Sequence, residues 1–116
     1  MKKALLVSLA LVFPLAAQAA ATAVCTGDTG GDKAVTATAG MFIVNGFNMK
    51  CSTNVFLQYE ENATAVGVAA ASKKGKNIFA GGSAGGQVKK VAECASTTAC
   101  DAADASGKTA AALAGS

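Results

Sequence analysis

Few side chains in this chain of 116 residues could do chemistry. Histidine is absent, and all ten basic residues are lysines, set against seven acids. Without imidazole there is no Ser-His-Asp triad, no Cys-His pair and no histidine metal ligand. Without arginine the planar fork that reads phosphates and base edges is missing, which argues against nucleic acid as a partner. The acids are Asp28, Asp32, Glu60, Glu61, Glu93, Asp101 and Asp104. Glu60 and Glu61 are adjacent, so on a strand they point to opposite sides and make a poor acid–base pair. Asp28 and Asp32 stand in "TGDTGGDK", residues 26–33. Calcium takes carboxylates from such loops, but an EF-hand needs more ligands at set spacing and a closing glutamate, so the stretch reads as a flexible loop. "DAAD" at 101–104 reads as the cap of a helix start rather than a metal site. No catalytic residue, metal or cofactor is expected, and the chain is not read as an enzyme.

Two stretches imitate a phosphate-binding loop. "SKKGKNIFAGGSAGGQVKK", residues 72–90, carries five lysines around glycines, but neither G-x-G-x-x-G nor G-x-x-x-x-G-K-[ST] occurs in it. "SGKT" at 106–109 copies the tail of the second motif, yet Ala102 stands where its first glycine is required. Lys73, Lys74 and Lys76 therefore read as solvated residues of a turn.

The four cysteines are Cys25, Cys51, Cys94 and Cys100. Their setting decides their chemistry. The chain opens "MKKALLVSLALVFPLAAQAA": a positive start, an apolar run too short to span a bilayer comfortably, and a small-x-small site at Ala17-Gln18-Ala19. Residues 1–19 are read as a cleaved export signal of bacterial type, with the cut after Ala19 or as late as Ala21. No stable membrane insertion follows its removal. The formal charge of +3 includes Lys2 and Lys3, so the remaining eight lysines and seven acids leave a charge of +1. In an exported chain an even cysteine count reads as disulfides, and the C-x-x-C knuckles of a zinc or redox site are absent. Short loops close at least entropic cost, which favours Cys25–Cys51 with Cys94–Cys100; Cys51–Cys94 is the competitor.

The elements that hold these residues follow from turn chemistry and alternation. Asn45-Gly46 between apolar runs is the preferred two-residue hairpin turn, so Val44 is expected opposite Phe47, Phe42 opposite Met49 and Gly40 opposite Cys51. One face of the second strand then collects Phe47, Met49, Cys51, Thr53, Val55, Leu57 and Tyr59. The other collects Lys50, Ser52, Asn54, Phe56, Gln58 and Glu60. "ATAVGVAAAS" pairs back through a turn near Glu61-Asn62, with Tyr59 opposite Thr64 and Leu57 opposite Val66. Its second face, Ala63, Ala65, Gly67, Ala69 and Ala71, is small enough for another backbone to lie very close. After the lysine turn, "NIFAG" forms a strand with Phe79 opposite Ala70. Val88, Val91, Ala92 and Ala95 fall at helical spacing, predicting a short helix in "GQVKKVAECA" that covers the apolar sheet face.

The expected fold is α+β, mainly β: a small antiparallel meander of about four strands, one short C-terminal helix packed on it, and two disulfides. Residues 20–100 form this domain, and 101–116 are an alanine-rich tail that is a weak helix, a mobile tail or a segment ordered on another subunit. The function expected is that of an exported non-enzymatic envelope or extracellular protein of structural or interaction type, in the periplasm or at the cell surface. Its partner is a protein, itself included, met through strand edges or the small-residue sheet face. Met41, Ile43 and Phe56 on the second sheet face are the candidate interface. The alternative is a soluble periplasmic binding or inhibitor module, with contacts at Asp28–Asp32 or at Lys73, Lys74 and Lys76.

Overall fold

A computed structural model describes residues 20–115; the expected export signal lies outside the described residues. Seven strands and one helix follow in the order β1 (Thr22–Thr26), β2 (Gly31–Val35), β3 (Phe47–Cys51), β4 (Val55–Glu61), β5 (Val66–Ser72), β6 (Asn77–Gly82), β7 (Lys89–Glu93) and α1 (Ala102–Leu113). β4 to β7 run as an antiparallel meander, and β1 adds beside β4 to make a five-stranded sheet. β2 and β3 pair as a separate two-stranded sheet. The expected class holds, with seven strands where about four were expected. Cys25 is bonded to Cys51 and Cys94 to Cys100. The first bridge ties β1 to β3 and hence one sheet to the other; the second ties the end of β7 to the start of α1.

The hairpin at Asn45-Gly46 does not form. β3 pairs with β2 instead, placing Val35 opposite Phe47, Lys33 opposite Met49 and Gly31 opposite Cys51. Residues 41–46 carry no strand, and their backbone donors are met elsewhere: the Phe42 amide donates to Asn62 O and the Ile43 amide to Glu61 Oε2 at 2.8 Å. These bonds satisfy the segment without a ladder, and they free Ile43 to reach the core. The single long strand expected from Phe47 to Tyr59 is broken at Ser52–Asn54, where Asn54 adopts φ +66°. Asparagine is among the residues that tolerate this conformation.

β4 and β5 pair as expected in sense but not in register: Tyr59 faces Val68 and Leu57 faces Ala70. The connection is longer because Asn62 Oδ1 accepts from the amides of Thr64 and Ala65, both at 2.8 Å, and builds a turn of its own. The slip is even, so every side chain keeps its face. Phe79 faces Ala70 as expected.

No helix forms in "GQVKKVAECA"; the one helix among the described residues begins at the "DAAD" stretch that reads as a helix cap. "KKVAE" is β7, hydrogen-bonded to the open edge of β6; two valines and helical spacing over so short a segment lose to an available ladder. The alanine-rich tail instead forms α1. Asp101 caps it, accepting from the Asp104 amide at 3.0 Å, while Asp104 accepts from the Asp101 amide at 2.9 Å, a reciprocal box. Its buried residues Ala105, Thr109 and Ala112 recur at one-turn intervals on one face, as an amphipathic helix requires.

α1 covers the small-residue face rather than the apolar one. Ala69 and Ala80 pack against Ala112, and the helix backbone comes so near that a Cβ at Gly67 would collide with Leu113 N. Gln58, expected to face solvent, is therefore buried at 6% exposure, and its Nε2 donates to Ala102 O at 2.8 Å. Thr109, fully buried, has its hydroxyl 3.0 Å from both Glu60 Oε2 and Ser106 O, and donates its one proton to either. Every buried polar side-chain atom among the described residues has a partner.

An apolar groove between the two sheets

The side of the five-stranded sheet away from α1 carries Leu57 and Tyr59 of β4 and Val66 and Val68 of β5. The two-stranded sheet lies over part of it, tethered by Cys25–Cys51. Val24, Val35, Cys25, Cys51 and Tyr59 form the buried centre of this layer, with Ile43, Met49, Leu57, Val66 and Val68 packed on it half-buried. Contact is incomplete. A groove of about 380 Å³ remains, walled by Leu57, Val66 and Val68 below and by Val35, Phe47 and Met49 above, with no polar surface in its lining. Phe42 and Phe47, at 41% and 51% exposure, form its lips. On the same side of the sheet a shallower hollow of about 280 Å³ surrounds Val55, Ala70 and Phe79, and Phe79 is 47% exposed.

The residues singled out from the sequence are dispersed. Glu60 and Glu61 do point to opposite sides: the first meets Thr109 under the helix, the second the Ile43 amide. Asp28 accepts from Thr26 Oγ1 at 3.0 Å in its loop, while Asp32 is exposed on β2. Lys73, Lys74 and Lys76 are exposed around a turn closed by the Gly75 amide donating to Ser72 O at 2.8 Å. "GGSAGG" feeds a strand, not a helix N-terminus, and "SGKT" lies inside α1, so neither has the geometry of a phosphate loop. Among the described residues one group with metal-ligand reach occurs, Cys94, Cys100 and Asp104. Both of its sulfurs are spent in a disulfide, and thiolate is the form that ligates. The Asp104 carboxylate is held below the usual aspartate range by the Ala95 amide first and the Asp101 amide second, consistent with a structural hinge between β7 and α1.

Met41, Ile43 and Phe56 do not share a face. Phe56 is buried on the helix side, and Ile43 packs half-buried into the layer on the other side. Cover from within one chain accounts for both. Sequence reasoning missed Val24 and Val35, which flank the loop read at 26–33 and were assigned to no strand. The clue was the β-branched content of "TAVCT" around its cysteine.

Comparison of the chain with protein-family models, with curated proteins and with solved structures finds no match.

Proposed function

We propose that this chain is an exported, non-enzymatic binding module of the periplasm or cell exterior, and that the apolar groove is its contact surface. Two disulfides fit an oxidising compartment, and among the described residues no helix is long and apolar enough to cross a membrane. The observation that carries the reading is asymmetry of cover. One face of the sheet is sealed by α1, while the other keeps an open groove lined by aliphatic and aromatic side chains, Tyr59 among them, and by no charged one. Such a volume is in the range of small-molecule and side-chain pockets, and exposed apolar surface of this kind marks an interaction site.

The same asymmetry draws support away from a self-assembling structural role. The small-residue face, one of the two surfaces expected to mediate it, is occupied by α1. The outer edge strand β7 carries exposed Lys89 and Lys90, and lysines on an edge oppose pairing with a second copy.

Nile red, a neutral apolar dye, tests this reading. The oxidised protein is expected to bind it with blue-shifted emission, and Val68→Phe, which fills the groove from its floor, is expected to weaken binding at least about tenfold, the equivalent of about 1.4 kcal/mol. Dye emission unchanged by the protein, or equal binding to the variant, would refute a groove-based function.

A further inference from the structure

The groove is apolar throughout, but its rim is not neutral. In the β2–β3 ladder Lys33 stands directly opposite Met49, and paired residues in an antiparallel sheet leave the same face. Val35, two residues along β2, leaves that face too. Met49 and Val35 both wall the groove, so Lys33 is placed beside them. It is exposed, and the ion pair found among the described residues is Lys90 with Glu93, not Lys33. The other charges of this small sheet, Asp32 and Lys50, leave its outer face. Glu61, the charge on the groove side of β4, is buried and holds the Ile43 amide. An uncommitted cation thus borders an uncharged apolar trough.

We propose that the groove takes a free single-chain anionic amphiphile of the fatty-acid type, its chain along Leu57, Val66 and Val68 and its carboxylate at the Lys33 ammonium. This rests on the binding reading above and adds the ligand class. The volume of about 380 Å³ lies at the small end of ligand pockets, which suits one short chain. The apolar lining offers nothing to a second polar group deep inside, and burying one without a partner is costly.

Calorimetric titration of the oxidised protein with decanoate and with decanol, at low salt and below micelle formation, tests the assignment. Decanoate is expected to bind more tightly than decanol. Lys33→Glu should weaken decanoate by up to about fivefold while leaving decanol unchanged, since exposed ion pairs reach about that size. Lys50→Glu makes the same charge change on the outer face and should alter neither; circular dichroism of both variants establishes that they fold. Equal binding of decanoate and decanol, indifferent to Lys33, would overturn the head-group assignment while leaving an apolar binding module standing. Binding of neither, with Nile red still bound, would overturn the ligand class. Loss of Nile red as well, with a dimer by light scattering or preferential sedimentation with anionic vesicles, would remove both readings.

Discussion

At the scale of single residues, α1 crosses the sheet at close range, and the approach is made possible by hydrogen atoms in place of side chains. A Cβ at Gly67 would meet Leu113 N and, at 2.6 Å, Thr109 O. Those are backbone atoms and cannot rotate away, so Gly67→Ala must lift the helix; overpacking of this kind costs about 1–3 kcal/mol. Gly107 sits within α1 with nothing within 4 Å of an added Cβ, and glycine in a helix interior is worse than alanine by about 0.5–1 kcal/mol. Gly107→Ala should therefore stabilise. Urea denaturation of the two variants is expected to move the midpoint in opposite directions; a shift of the same sign would contradict the crossing geometry. Asp104 supplies a pH-dependent term. Its folded pKa is lowered by the Ala95 and Asp101 amides, so its contribution is complete above the ordinary aspartate value and is lost as pH falls below about 4. Asp104→Asn keeps one of two accepting oxygens, and its stability should fall less steeply through that range in acid melts. Equal slopes would show that the carboxylate does no work at the hinge.

At the scale of elements, the two disulfides do different jobs. Cys25–Cys51 spans 26 residues and fastens the two-stranded sheet over the groove; Cys94–Cys100 spans 6 and fastens α1 to β7. Loop entropy puts their contributions at about 3.5 and about 2.2 kcal/mol, large against a typical total of about 5–15. Full reduction is expected to lower the thermal midpoint sharply. Replacing Cys25 and Cys51 by serine should abolish Nile red binding, whereas replacing Cys94 and Cys100 should destabilise the fold and leave the dye site. Loss of the dye site in both pairs alike would contradict the division of labour. The strands β4 to β6 and their sidedness were legible because alternation over seven residues and turn chemistry around Lys73 to Lys76 are local signals. The partners of β3 and β7 were not. Which edge a strand joins is set by what else the sheet leaves open, and Asn45-Gly46 is a turn signal that the β2 ladder outcompetes. The start of the helix was legible in the "DAAD" cap, but its packing was hidden by composition: alanines at 102–113 form a packed face only because Gly67, Ala69 and Gly82 offer a floor that small side chains can approach. The candidate groove was half legible. Leu57, Val66 and Val68 were expected on one apolar face, but the cover over them comes from β2, whose Val35 follows a stretch that looked like loop.

At the scale of the whole molecule, one sheet separates two different interiors. Under α1 lie alanines, glycines and a satisfied polar set of Gln58, Glu60 and Thr109; opposite lie large apolar side chains that the chain's own residues only partly cover. A thin helix-side layer with a wider, unfilled layer behind it follows from the distribution of side-chain volume along β5, small at Gly67, Ala69 and Ala71 and branched at Val66 and Val68. The filled face gives stability, and the unfilled face is the one proposed to bind. Methyl and methionine NMR of the oxidised protein titrated with Nile red tests this division most directly. Shifts confined to Leu57, Val66, Val68 and Met49, with Val91 and Ala112 under the helix unmoved, are the result expected. Shifts at Ala112 and Val91 with the groove methyls silent would contradict it.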